Sequence, residues 1–241
     1  MTDFVELWVY LSATPLFGLT ATLVVYLLAQ AFYLRMGAAP WANPVLWSVV
    51  VLAVLLTGTG VSYPSYFSGA QFIHFLLGPA VVALAWPLWQ RRAELRARGV
   101  RVLLAALLGG GAASVSAVAL AWAFGLPHEV VMSMAPKSVT APVAMGIADK
   151  IGGVPALAAV FAVLTGMVGA LTGKYLFDLL RVPAAGLGWT ARGFALGTAS
   201  HGIGAARALQ VDADAGAYAG LALGLQVVLA ALLMPLAFRL F

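Results

Sequence analysis

Between Val102 and Phe124 the chain holds no charged side chain. At about 1.5 Å per residue a helix of that length is roughly 34 Å long, enough to cross the ~30 Å hydrocarbon core of a bilayer. Similar runs recur from about Leu7 to Tyr33, Val45 to Thr57 and Ser65 to Trp89. The last is interrupted by Gly78-Pro79 and carries Gln71 and His74, which read as packed polar residues. Glycine and proline punctuate the runs at helix rather than strand spacing. Only 9% of residues are charged, against roughly 25% in soluble domains. The expected fold is an all-α polytopic membrane protein with about 6–8 transmembrane helices and no separate soluble domain.

Five of the 13 basic residues crowd into one short stretch, Arg91, Arg92, Arg96, Arg98 and Arg101, read as a loop. The cytoplasmic bias of basic loops accounts for this cluster better than nucleic acid does, so no nucleic-acid partner is expected. With no cysteine, disulfides and thiolate chemistry are excluded. The opening Met1-Thr2-Asp3-Phe4-Val5-Glu6 is acidic where a signal peptide would be basic, so a cleaved leader is not expected.

Two stretches break the apolar pattern. The first is Pro136-Lys137-Ser138-Val139-Thr140-Ala141-Pro142, inside the segment from His128 to Lys150. The second is Gly197-Thr198-Ala199-Ser200-His201-Gly202-Ile203-Gly204, inside a segment from about Trp189 to Leu209. Helix breaks at membrane depth are tolerated only inside protein or beside a cavity, and an ionisable group there marks a functional site. If the arginine cluster is cytoplasmic, a segment 128–150 that crossed fully would put Lys174 and Arg181 outside. A re-entrant hairpin keeps them inside. Helix 102–124 with hairpin 128–150, followed by helix 154–180 with hairpin 189–209, then forms an inverted repeat of the kind found in transporters. On this reading, residues 1–101 are scaffold-like helices and residues 102–241 carry the repeat.

Lys137 can bind a carboxylate, or pair structurally with Glu129 or Asp149. Pro136 frees backbone groups, and Ser138 and Thr140 offer hydroxyls to them or to a solute. A half-helix beginning near Ser138 aims its positive end at an anion. In the second break Gly197, Gly202 and Gly204 permit unwound backbone. Thr198 and Ser200 add hydroxyls. His201 either meets a solute or coupling proton, or is satisfied by backbone at the break. His128, Glu129 and Arg207 are possible gate or coupling residues. Gly166, Gly169 and Gly173 allow close helix approach. Asp212 and Asp214 cap a last helix. No Ser-His-Asp order, HExxH, CxxC or P-loop is present, so neither an enzyme nor a metal or cofactor site is expected.

Both breaks resemble the LrgB/CidB family of bacterial inner-membrane proteins, also seen as the C-terminal half of the plastid glycolate/glycerate transporter. The resemblance lies in Ala135-Pro136-Lys137-Ser138-Val139-Thr140-Ala141-Pro142-Val143-Ala144-Met145-Gly146-Ile147-Ala148 and in the stretch from Ala191-Arg192-Gly193-Phe194 to Ala205-Ala206-Arg207-Ala208. It implies a multi-pass protein of the bacterial inner membrane that exports or exchanges small monocarboxylates such as glycolate, glycerate or pyruvate. The alternative it implies is an antiholin-like regulator of a holin-type pore, murein hydrolase activity and autolysis. It further implies a homo-oligomer and a small LrgA/CidA-like membrane partner. The chain departs from the family at Ala141 and Ala205, where threonine or a similar residue is common, so two hydroxyls are lost.

Overall fold

The computed structural model describes residues 15–76, 79, 85–90 and 92–238. The acidic N-terminal stretch, Arg91 and the side chains of His74 and Arg98 lie outside what it describes. Every described element is helical. Four helices are long and apolar enough to span a membrane: Leu16–Arg35, Gly99–Ala123, Pro155–Leu179 and Ala213–Ala237. Their exposed surfaces are rich in Leu and Val, as lipid-facing surfaces are.

The chain divides into two compact units between Val82 and Ala83. In the first, α1 (Pro15–Arg35) packs against α2 (Pro44–Thr59) and α3 (Tyr63–Phe75). Asn43 caps α2, its Oδ1 accepting from the amides of Val45 and Leu46 at 2.9 and 3.2 Å. Gly18 lets α1 meet α3, since a methyl there would overlap the Tyr66 carbonyl. Beside it Thr22 Oγ1 and Tyr66 Oη share a hydrogen bond of 2.7 Å.

The second unit holds α4 (Ala85–Gln90), α5 (Arg92–Ala123), α6 (His128–Met134), α7 (Ala141–Ile151), α8 (Pro155–Leu179), α9 (Leu187–Val211) and α10 (Ala213–Ala237). One expectation is corrected here. The arginine stretch is not a loop, because α5 begins at Arg92 and absorbs it. Ala93-Glu94-Leu95-Arg96-Ala97 are strong helix formers, and Gly99 alone does not stop them. Asp212 caps α10 as expected, accepting from the amides of Asp214 and Ala215.

Both broken segments fold back on themselves. Ser133 Oγ accepts from the Val154 amide at 2.8 Å and donates to the Glu129 carbonyl at 2.6 Å. In one continuous helix Ser133 and Val154, 21 residues apart, would stand about 32 Å apart. The chain instead leaves α6 through turns closed by Lys137 N to Met134 O and Val139 N to Pro136 O. It then reverses at Thr140 and returns along α7. In α9 the reversal is a single residue, His201, with φ 41° and ψ −135°. A methyl on Gly204 would meet the Leu196 carbonyl at 2.7 Å, although eight helical residues span about 12 Å.

Close contacts at small residues set the helix directions. Gly166, Gly169 and Gly173 of α8 meet His201, Ser200 and Leu196 in turn, so the first limb of α9 runs antiparallel to α8. Gly193 and Gly197 abut the carbonyls of Ala215 and Ala219, so that limb runs parallel to α10. Helix α5 is also parallel to α10. Gln226 Nε2 donates to the Ala106 carbonyl at 2.5 Å, while further along Phe238 and Val118 both pack against the cluster around Ala121.

Candidate functional site

The tip of the first hairpin spans Pro136 to Thr140. Pro136 is fully buried and Ser138 nearly so. Val139 packs with Ala144, Ile147, Ala148, Ala158, Ala162 and Ala230, which anchors the tip between α7, α8 and α10. Thr140 occupies the N-cap position of α7 but makes no capping hydrogen bond, and Pro142 sits in the first turn. An N-cap threonine ordinarily accepts from the second or third helical amide. Here the Thr140 hydroxyl is buried with no partner, as is that of Ser138. The first turn of this 11-residue helix therefore has no side-chain cap from its N-cap residue. A helix end of this kind attracts anions.

Lys137 stands beside these groups, half-buried. Among the described residues it forms no ion pair, with Glu129, Asp149 or any other acid. The alternative of a structural pair at the membrane interface is therefore absent from the structure.

The tip of the second hairpin is held differently. His201 is buried, and its Nε2 donates to the Ala162 carbonyl of α8 at 2.6 Å. The backbone-satisfied alternative is thus what that ring nitrogen displays. A positive φ on a residue with a side chain costs on the order of 1–3 kcal/mol, and the bond to Ala162 helps to hold it. The expectation that glycines supply the unwinding is corrected. Gly197 and Gly204 stay helical and serve close approach, and among the described residues of α9 only His201 leaves helical geometry. Gly202 borders open space, with nothing within 4 Å of a built methyl. Ser200 is buried, its hydroxyl filling the notch left by Gly169. Thr198 is buried and its hydroxyl has no partner.

Ala162 links the two tips. Its side chain lies in the cluster with Val139, and its carbonyl receives His201. The other three residues singled out from the sequence lie away from this centre. His128 and Glu129 are exposed at the mouth of the first hairpin. Arg207 lines a separate hollow with Lys174, Asp178 and Arg192. There Arg192 donates to Asp178 Oδ1 at 2.6 Å and to the Val182 carbonyl, between the rings of Phe177 and Trp189. Among the described residues no group of three acids or histidines could hold a metal.

Sequence reasoning missed Gln226, buried on α10 with its amide against Gly110. An amide in an otherwise apolar helix was the available signal, since such groups seek a partner across helices in lipid.

The family model for LrgB-like proteins matches residues 22–240. The chain belongs to the LrgB-like family. This LrgB-like chain is 36% identical to YxaC of Bacillus subtilis over 225 residues, 91% of the chain and 96% of YxaC. It is 32% identical to YwbG of the same organism over 212 residues, covering 88% and 92%. With the holin-like protein CidB of Staphylococcus aureus it shares 30% identity over 203 residues, covering 84% and 86%. No solved structure matches it. With four apolar spanning helices, it is a multi-pass bacterial membrane protein.

Proposed function

We propose that this LrgB-like protein is a secondary carrier that exchanges small monocarboxylates, such as glycolate, glycerate or pyruvate, across the bacterial inner membrane. The carrying observation is the first tip. A buried N-cap hydroxyl on Thr140 that caps nothing, a second unpartnered hydroxyl on Ser138 and an unpaired ammonium on Lys137 adjoin one helix N-terminus. Buried polar groups are ordinarily satisfied, so two such hydroxyls beside a half-buried, unpaired ammonium favour a ligand that supplies the missing partners. A carboxylate suits Lys137 and the α7 amides, and the hydroxyl or keto oxygen of the same molecule suits Ser138 and Thr140. Thr198, Ser200, the Gly202 backbone and His201 would close the site from the second tip.

The helix directions support an inverted repeat. The first hairpin starts and ends beside the C-terminus of α5, and the second beside the C-terminus of α8, which is antiparallel to α5. The hairpins therefore enter from opposite ends, as paired broken segments do in inverted-repeat carriers. Arg92, Arg96 and Arg101 of α5 share one end with Lys174 of α8 and with Arg181 just beyond it. By the bias of basic residues toward the cytoplasm, that end is cytoplasmic.

A second reading, a regulator of a holin-type pore and of murein hydrolase activity, is favoured by the holin-like name of CidB. Counterflow of labelled glycolate, glycerate and pyruvate in proteoliposomes separates the two, with and without a small LrgA/CidA-like partner. Saturable exchange lost in the Lys137→Ala variant is expected. Wild-type exchange in that variant would remove Lys137 from the site. Leak of unrelated solutes without saturation would favour the pore regulator.

A further inference from the structure

Beside the second hairpin lies a cavity of about 600 Å³, walled by α5, the first limb of α9 and α10. Its lining includes Arg101 and Thr190 at one end and Gly109 and Thr198 at the other, with Phe194 and Tyr218 between. Because α5 and this limb are parallel, both walls give the same depth. Arg101 to Gly109 and Thr190 to Thr198 are each eight residues, about 12 Å. That is close to half of a ~30 Å hydrocarbon core. The deep end carries the buried, unpartnered hydroxyl of Thr198, and the shallow end carries the exposed guanidinium of Arg101. Gly109 sets the shape of the floor, since its missing methyl leaves room for the Thr198 side chain.

We propose that this cavity is a water-filled, anion-attracting vestibule that opens at the α5 N-terminal face and ends at Thr198. Building on the carrier reading, it is the route by which a small carboxylate reaches the second hairpin tip from the cytoplasm. Arg101 draws the anion in and Thr190 hydrates its passage. Phe194 and Tyr218 limit its girth to small solutes. Thr198 closes the floor, with its hydroxyl buried just behind it. A cavity lined by one sign of charge between low-dielectric walls concentrates its counter-ion and raises its arrival rate by about 10-fold or more.

The native chain has no cysteine, so single substitutions can be labelled without background. Ala191→Cys, Ala195→Cys and Thr198→Cys variants are reconstituted and exposed, on each face separately, to impermeant anionic and cationic methanethiosulfonates. All three should react from the α5 N-terminal face. A Leu108→Cys control, on the outward face of α5 next to Gly109, should stay silent. Adding Arg101→Gln should slow the anionic reagent about tenfold and leave the cationic one no slower. Reaction of Thr198→Cys from the opposite face only, or silence at both Ala195→Cys and Thr198→Cys while Ala191→Cys reacts, would overturn the vestibule. Should Thr198→Cys fail to fold, Ala195→Cys, nearly a turn shallower, decides the same question. Labelling needs no transport, so it is independent of the carrier reading. Slowing of Thr198→Cys by glycolate tests that reading separately.

Discussion

The contact between Gly169 of α8 and Ser200 at the second tip can be tested by adding and removing single atoms. A methyl built on Gly169 falls on the Ser200 hydroxyl and lies 2.7 Å from Ser200 Cβ, but 3.9 Å from its Cα. Gly169→Ala should therefore push the tip off α8 and weaken the nearby bond of His201 to Ala162. Overpacking of this kind costs about 1–3 kcal/mol. At about 2–4 °C per kcal/mol for a chain of this size, the melting temperature in detergent should fall by several degrees. Ser200→Ala should not rescue it, because Cβ is still too close. Ser200→Gly should, because the nearest remaining atom is then at an ordinary contact distance. The double variant Gly169→Ala/Ser200→Gly should recover most of the loss, a coupling of about 1–3 kcal/mol in a double-mutant cycle. Additive effects of the two substitutions would refute the placement of the tip against α8.

Thr140→Val and Thr198→Val each remove a buried hydroxyl that has no partner while keeping its shape. Each should leave thermal stability unchanged or raise it by about 1 kcal/mol, while the apparent KM for carboxylate exchange rises. A fall in stability would mean that these hydroxyls serve the fold. Arg192→Lys should destabilise by about 1–3 kcal/mol, because one ammonium cannot reproduce the fork that meets both Asp178 and the Val182 carbonyl. Hydrogen exchange should locate the loosening in residues 180–186, and protection there equal to wild type would contradict it.

The two hairpins were legible for different reasons. Pro136 and Pro142 remove amide donors from a run that is otherwise helical and apolar, so the first break announced itself. With the arginine stretch taken as cytoplasmic, the positive-inside count then favoured a chain that turns back. The second break was located by its glycines, yet the residue that leaves helical geometry is His201. Glycine composition cannot separate a residue that must unwind from one that must let another helix in. Gly193 and Gly197 prove to be of the second kind, abutting carbonyls of α10. The α5 boundary was obscured by the same ambiguity. A basic stretch reads as a solvated loop, but its alanine, leucine and glutamate extend the helix into the interface. Neither the meeting of both tips at Ala162 nor the vestibule wall had a local signal, since both arise from helix registers between distant segments.

That shared residue constrains any carrier built on this frame. Ala162 is fully buried, with one hairpin packed on its side chain and the other bonded to its carbonyl. An opening of the first tip moves Val139 against Ala162, and an opening of the second breaks the bond from His201. Packed cores switch between discrete arrangements rather than deform smoothly, so neither tip can open without leaving a gap or an unpaired carbonyl at α8. Either change costs on the order of 1–3 kcal/mol. At that cost an opening that breaks one contact is populated in about one molecule in six to one in 160, and an opening that breaks both is rarer still. A carrier needs that exclusion and a pore does not. On the proposed carrier reading, the hairpins would alternate access by moving together with α8.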